Sequence, residues 1–213
     1  MCDWGNSLPE IYQEYVNKLR WNSFFHQIDE IISFQPNSIL EIGSGLGITR
    51  TVIKNVLKMN YDSMDINSSL DADYVGSVLE MPFPDSKYDV VCCFQVLEHL
   101  PFEDFEKGLS EMCRVAKKAV IISLPNANNQ LRLHISIRNT DFVFNRWFSK
   151  KKKSKNHFWE IGLKGYEEKF IRKIIVNTSL KHGYKLKKDF RLIETPFHHF
   201  FILDKDVVND VNN

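Results

Sequence analysis

The sequence predicts an α/β fold: an open, doubly wound, mostly parallel sheet with a C-terminal antiparallel hairpin. Three observations predict it. Short apolar runs alternate with amphipathic stretches along the 213 residues. One run, Tyr88–Phe94, is apolar almost throughout, as a parallel strand covered on both faces must be. Finally, Tyr184–Ile193 and Phe197–Leu203 are both strand-like and only a few residues apart, too close for a crossover, so they must pair antiparallel.

The elements follow in order. Ile11, Tyr15, Leu19, Phe24, Ile28, Ile31 and Ile32 recur at three- and four-residue spacing, which predicts one or two amphipathic helices over residues 9–33. Pro36-Asn37 breaks that pattern, and Ser38–Gly43 is the first strand. Ile48, Val52, Ile53, Val56 and Leu57 mark a helix over 48–58. Tyr61–Ile66 is a second strand, and Tyr74–Gly76 a weak third. After Tyr88–Phe94 comes a helix, Phe102–Val115, then a buried strand, Ala119–Leu124, stopped by Pro125-Asn126. Tyr166–His182 is a helix ended by Gly183, which suits a left-handed C-cap. The last ten residues are expected to fray.

Composition excludes several classes. The chain suits one domain that buries roughly 70% of its unfolded surface. Its formal net charge of +1 argues against a nucleic-acid partner. Cys2, Cys92, Cys93 and Cys113 lack metal-ligand spacing and are expected to be reduced thiols of a cytoplasmic protein. Cys92 and Cys93, adjacent on a strand, should point to opposite faces. No apolar run approaches the ~20 residues of a membrane span, and the polar N-terminus predicts no signal peptide. His198-His199 lie on one strand and face apart, so no metal site is predicted.

The chemistry concentrates where the first strand ends, in Ser38-Ile39-Leu40-Glu41-Ile42-Gly43-Ser44-Gly45-Leu46-Gly47. Glycines at 43, 45 and 47 permit left-handed backbone and let a ligand lie against main-chain amides. Asp65 ends the next strand, where a carboxylate can accept from both hydroxyls of a ribose. A plain glycine-rich loop and a turn-forming Asp65 are the alternative readings.

With these residues the chain resembles the class I S-adenosylmethionine-dependent methyltransferases, of the small-molecule subgroup with an L-E-H motif. Glu41–Gly47 resembles their first motif. The likeness continues through Asp65, Gly76–Phe83, Tyr88-Asp89-Val90-Val91 and Val96-Leu97-Glu98-His99-Leu100-Pro101, covering about residues 38–125. The resemblance implies a Rossmann-like fold and S-adenosylmethionine as cofactor. It implies that Glu41, Gly43, Ser44, Gly45 and Gly47 surround the methionine portion and that Asp65 holds the ribose beside Ile66. Ser77, Val78 and Leu79 would lie along the adenine, and Phe94 and Gln95 would approach the cofactor. Ser77 departs from the pattern, which often has an aspartate there.

The implied layout is one methyltransferase domain: an N-terminal helical cap (1–36), a cofactor-binding core (37–125), a substrate lid (126–165) and a C-terminal helix with hairpin (166–205). Methyl transfer needs mainly alignment and exclusion of water, with a base only for a hydroxyl or protonated amine acceptor. His99, His157 and Glu160 are the candidates for catalysis. The alternative for His99 is that Glu98-His99 merely organises its loop. Asn126 and Trp159 are candidates for acceptor contacts. Lys150–Lys155, with the aromatics and arginines before it, would suit an acidic, lipid-linked or sugar-linked small-molecule acceptor or graze an anionic membrane, unless it is simply a solvated loop. Three other readings compete. A nicotinamide oxidoreductase would need another glycine spacing, since position 48 is Ile. A non-catalytic methyltransferase-like scaffold would not need the intact turn. A nucleic-acid methyltransferase would be expected to carry an Asn-Pro-Pro-aromatic or Asp-Pro-Pro-aromatic motif, which is missing.

Overall fold

A computed structural model describes residues 18–137, 140–148, 153–193 and 195–205. Helix α1 (Lys18–Ile32) leads into β1 (Ile39–Ile42). A short helix α2 (Ile48–Arg50) continues as a π-helical turn over Thr51–Val56, followed by β2 (Tyr61–Asp65) and β3 (Tyr74–Val75). Then come β4 (Tyr88–Phe94), a 3₁₀ turn (Leu97–His99), α3 (Phe102–Val115) and β5 (Ala116–Pro125). β6 (Asn129–Ile137) and β7 (Thr140–Phe148) form a separate antiparallel pair. The described chain closes with α4 (Glu168–Lys181), β8 (Tyr184–Arg191) and β9 (His198–Lys205).

The main sheet has seven strands in the order β3-β2-β1-β4-β5-β9-β8. β1 to β5 run parallel, and β9 inserts antiparallel between β5 and β8. This is the doubly wound sheet with C-terminal antiparallel strands that the sequence predicts. Strand order reverses between β1 and β4, and such a sheet opens its ligand crevice at the carboxyl ends of those two strands.

β4 explains the two-sided burial. All seven of its residues are buried. Val91 and Cys93 join the core beneath α3 and α4, with Phe105, Leu109 and Ile171. Val90, Cys92 and Phe94 face the other way, with Ile31 of α1 and Ile53. The adjacent cysteines thus point to opposite faces, and both are free thiols, as is Cys113.

The expected elements shift in three places. The helix over 48–58 winds as a π turn after Arg50: the Leu57 N–H bonds five residues back to Val52, and the Thr51 hydroxyl donates to the Gly47 carbonyl at 2.8 Å. Back-bonding by a β-branched residue loosens the α ladder there. Asp204 and Lys205, expected to fray, complete β9 against Ala119 and Tyr184. Inside the stretch expected to be a lid, β6 and β7 pair as a hairpin from Asn129↔Phe148 to Ile137↔Thr140. Its sequence signal is the period-two run Leu131, Leu133, Ile135, Ile137 opposite Phe142 and Phe144. Part of the N-terminal cap (1–17), most of the lysine run (149–152) and residues 206–213 lie outside the described residues.

Candidate functional site

After β1 the chain turns sharply through Gly43, Gly45 and Gly47, at φ of 73°, 51° and 68°. Gly43 is the constrained one. A Cβ built there would sit 2.3 Å from Val96 Cγ2. At Gly45 a Cβ would meet nothing within 4 Å, so the main chain there faces open space. This turn forms the floor of a cleft with two lobes of about 790 and 900 Å³. Gly43, Gly45, Gln95 and His99 line both lobes, so the two adjoin along the glycine turn.

The 790 Å³ lobe takes Asp65, Ile66, Ser77, Val78, Met64 and Val96 from the ends of β2, β3 and β4. Asp65 Oδ1 accepts the Asn67 N–H at 2.9 Å, which fixes the carboxylate at the rim. Ile66 is 73% exposed and offers an apolar edge. The Ser77 hydroxyl accepts the Leu79 N–H at 3.2 Å.

The second lobe is lined by Glu41, Ser44, Phe94, Glu98 and His157, with Arg20, Phe24, Gln27 and Phe197 closing its outer side. Glu41 is buried at the end of β1 and accepts the Tyr61 hydroxyl. Burial pushes its carboxyl up to about 7, with the Asp65 charge adding to the effect and the Tyr61 bond opposing it. Glu98 is wholly buried and neither of its oxygens has a hydrogen-bond partner among the described residues. Burial raises its carboxyl to about 8. His157 Nε2 lies 4.0 Å from Glu98 Oε1, while His157 Nδ1 bonds Glu160 Oε1 at 2.9 Å. Burial lowers the His157 pKa, and the bond to Glu160 opposes it. His99 packs edge-to-face against His157, ring centres 4.8 Å apart, and its Nδ1 bonds the Asn156 carbonyl at 2.9 Å.

Most expected site residues therefore meet in one cleft: Glu41, Gly43, Ser44, Gly45, Asp65, Ile66, Ser77, Val78, Phe94, Gln95, His99 and His157. Five do not line it. Gly47 caps α2 instead. Leu79 packs half-buried against the core.

Trp159 and Asn126 need outright correction as acceptor contacts. Trp159 is fully buried, 5.1 Å from the Phe102 ring and 4.9 Å from Phe105, so it is a core residue beneath α3. Asn126 is 2% exposed. Its amide nitrogen bonds Glu168 at 3.2 Å and His199 at 3.1 Å, tying β5 to α4 and β9. Glu160 is also buried, and it reaches the cleft only through His157. His198 and His199 do not converge: His198 meets Ser23 of α1, whereas His199 bonds Asp189 and Asn126. Sequence reasoning missed Arg20, Phe24, Val96, Glu98 and Phe197 as parts of the cleft.

Comparison with known proteins agrees with this geometry. Residues 40–124 match the family model described as a methyltransferase domain. Ajmaline N-methyltransferase of Rauvolfia serpentina is 29% identical over 136 residues, 51% of this chain and 46% of that protein. The match therefore spans about half the length of that curated relative. The fold superimposes on magnesium protoporphyrin IX methyltransferase of Synechocystis with bound S-adenosylmethionine, at a TM-score of 0.57 and 11% identity, covering 95% of this chain and 87% of that one. Residues 40–124 carry a methyltransferase domain, on a fold shared with S-adenosylmethionine-dependent methyltransferases. The methyltransferase domain of bacterial CtHen1 shares the fold at a TM-score of 0.62 and 14% identity, over 88% of this chain and 98% of that chain.

S-adenosylmethionine is the cofactor of the methyltransferase domain at residues 40–124, and the cleft fits it. The glycine turn leaves backbone rather than side chain against the cavity, a carboxylate stands at the end of β2, and apolar Ile66 and Val78 flank it. Among the described residues, no helix is long and apolar enough to cross a membrane.

Proposed function

We propose that this chain transfers the methyl group of S-adenosylmethionine to a small or medium-sized polar acceptor held in the lobe lined by Phe24, Phe197, His99 and His157. The observation that carries the reading is that the two lobes adjoin along Gly43, Gly45, Gln95 and His99. The cofactor supplies an electrophilic methyl on a sulfonium, and the protein has to hold donor and acceptor in line and keep water out.

Asp65 accepts from the ribose hydroxyls, with Ile66, Ser77 and Val78 beside the adenine. Glu41, Ser44 and the Gly43 and Gly45 backbone hold the methionine end, and Phe94 and Gln95 border the reacting centre. Gln95 keeps a left-handed backbone, φ 58°, while its amide donates to Ser123 Oγ at 3.2 Å. Strained non-glycine backbone of this kind persists where surrounding structure holds it. His99 and His157 present ring nitrogens to the acceptor, and Glu160 positions His157. Phe24 and Phe197 supply aromatic walls, and Arg20 adds positive charge, a combination suited to an acidic, lipid-linked or sugar-linked molecule. The relative's N-methyltransferase name makes amines part of the same search.

Acceptor use is tested by following conversion of S-adenosylmethionine to S-adenosylhomocysteine over a panel of phenols, amines, carboxylates and glycolipid headgroups. Turnover with one class, lost in Phe197→Asp while S-adenosylhomocysteine affinity stays within about threefold, is the expected outcome. Tight cofactor binding without turnover on any class would favour the non-catalytic scaffold.

Glu41 makes the cofactor end pH-dependent. Its folded pKa of about 7 lies above the 4.5 usual for a glutamate. The sign follows: its contribution to the stability of the free protein is full at low pH and is lost as pH rises through 7. Cofactor binding goes the other way, because the ammonium and sulfonium charges favour the ionised carboxylate. Affinity for S-adenosylmethionine should tighten from pH 6 to pH 8, with a proton released at pH 6. Calorimetry in buffers of different ionisation enthalpy reads both, and Glu41→Gln should flatten the dependence.

A further inference from the structure

We propose that Glu98, His99 and His157 form a binding site for a first-row divalent cation, with one carboxylate and two imidazoles as ligands. The site rests on four features of the cluster.

The first is Glu98. It is 0% exposed and both carboxylate oxygens lack a hydrogen-bond partner among the described residues. A buried carboxyl without partners either keeps its proton or is compensated by a cation, and a metal ion is one of the few groups that can take both of its oxygens. The second is the state of the two histidines. Nδ1 of His99 faces a backbone carbonyl and Nδ1 of His157 faces a carboxylate, each at 2.9 Å. Both partners only accept, so in each neutral ring Nδ1 carries the proton and Nε2 is the atom that keeps a lone pair. A metal-ligating histidine has this arrangement, its other nitrogen donating to a carboxylate or carbonyl.

The third feature is distance. The ligand atoms of the three residues lie within 4.8 Å of one another, and Glu98 Oε1 is 4.0 Å from His157 Nε2. Metal–ligand bonds of about 2.0–2.2 Å put neighbouring ligand atoms roughly 3–3.5 Å apart. The cluster has to contract by about an ångström, which rotation of the exposed His99 ring and the half-buried His157 ring can supply. The fourth is the competition. The other charged groups around the cluster are Arg20, which lines the same lobe; Glu160, tied to the Ser154 N–H at 2.6 Å; and Lys153, whose Nζ donates to the His157 carbonyl at 2.7 Å. None of these supplies a bond to Glu98 in the described contacts.

Two imidazoles and one carboxylate suit Zn²⁺, Co²⁺, Mn²⁺ or Fe²⁺ rather than Mg²⁺ or Ca²⁺, which take all-oxygen shells. Phe24 and Phe197 line the same lobe as these three residues, so further ligands of a bound ion would come from that lobe. An oxygen of the acceptor would be one such ligand, a consequence that rests on the methyltransferase reading; the binding site itself does not.

The test titrates the metal-free protein with Co²⁺ by visible absorption and with Zn²⁺ by calorimetry, with S-adenosylhomocysteine affinity measured on every sample. One Co²⁺ per chain with a nitrogen/oxygen-ligand spectrum is expected. His157→Ala and His99→Ala should remove that uptake, and Glu160→Gln should weaken it ten- to a hundredfold. Near-unchanged far-ultraviolet circular dichroism guards against unfolding, and Glu98→Gln serves as a second ligand variant of the same shape. No uptake by folded wild-type protein, uptake unchanged in His157→Ala, or a thiolate charge-transfer band would each overturn the proposal. Metal uptake without S-adenosylhomocysteine binding would support the site and remove the methyltransferase reading, while the reverse would overturn the site alone.

Discussion

Gly43→Ala is expected to destabilise the fold and abolish cofactor binding together. Alanine at φ 73° costs about 1–2 kcal/mol relative to glycine. The new Cβ would also stand 2.3 Å from Val96 Cγ2. Val96 is β-branched and stiff, so the 3₁₀ turn that follows has to move, for a further 1–3 kcal/mol or so of overpacking strain. That turn carries Glu98 and His99, so both lobes of the cleft should be disturbed. Adding Val96→Ala separates the two terms: the steric part should be recovered and the backbone part kept. Urea denaturation measures both. Equal stability of Gly43→Ala and wild type would mean that the turn is not built as described.

Asp65→Ala is expected to leave the fold nearly intact and to cost most of the cofactor affinity. Its side chain sits at the cleft rim, with one hydrogen bond to the Asn67 N–H. Little else in the structure depends on it. A carboxylate accepting from two ribose hydroxyls makes charge-assisted bonds of about 1.5–3 kcal/mol each. Losing most of that pair corresponds to a fall in affinity of roughly thirty- to several hundredfold. Asp65→Asn should fall between, since the amide keeps one accepting oxygen without the charge.

The parts of the cleft visible in the sequence are those set by local chain geometry. Gly43–Gly47 after an apolar run, Asp65 at the next strand end and Gln95 after β4 are each fixed by strand order and parallel topology. Parallel strands bring their carboxyl ends to one edge whatever the side chains elsewhere. What could not be read depends on contacts between distant segments. Trp159 stands in a polar stretch and invites a substrate role, yet Phe102 and Phe105 of α3 enclose it. Asn126 after Pro125 looks like a turn residue facing the crevice, but Glu168 and His199 claim it. Nothing in the sequence says that the charged residue beside His99 is wholly buried. His99 and His157 lie far apart in sequence, and only the packing of the 3₁₀ turn against the 154–160 loop brings their rings together. The β6–β7 hairpin is written in the period-two alternation of Leu131 to Ile137.

The central claim is that the cleft floored by Gly43 and Gly45 and edged by Asp65 binds S-adenosylmethionine. Calorimetric titration of the folded wild-type protein and Asp65→Ala with S-adenosylhomocysteine tests it most directly. The predicted result is a single site per chain in the wild type, weakened at least thirtyfold in the variant. No binding to the wild type, or equal affinity in both proteins, would contradict it.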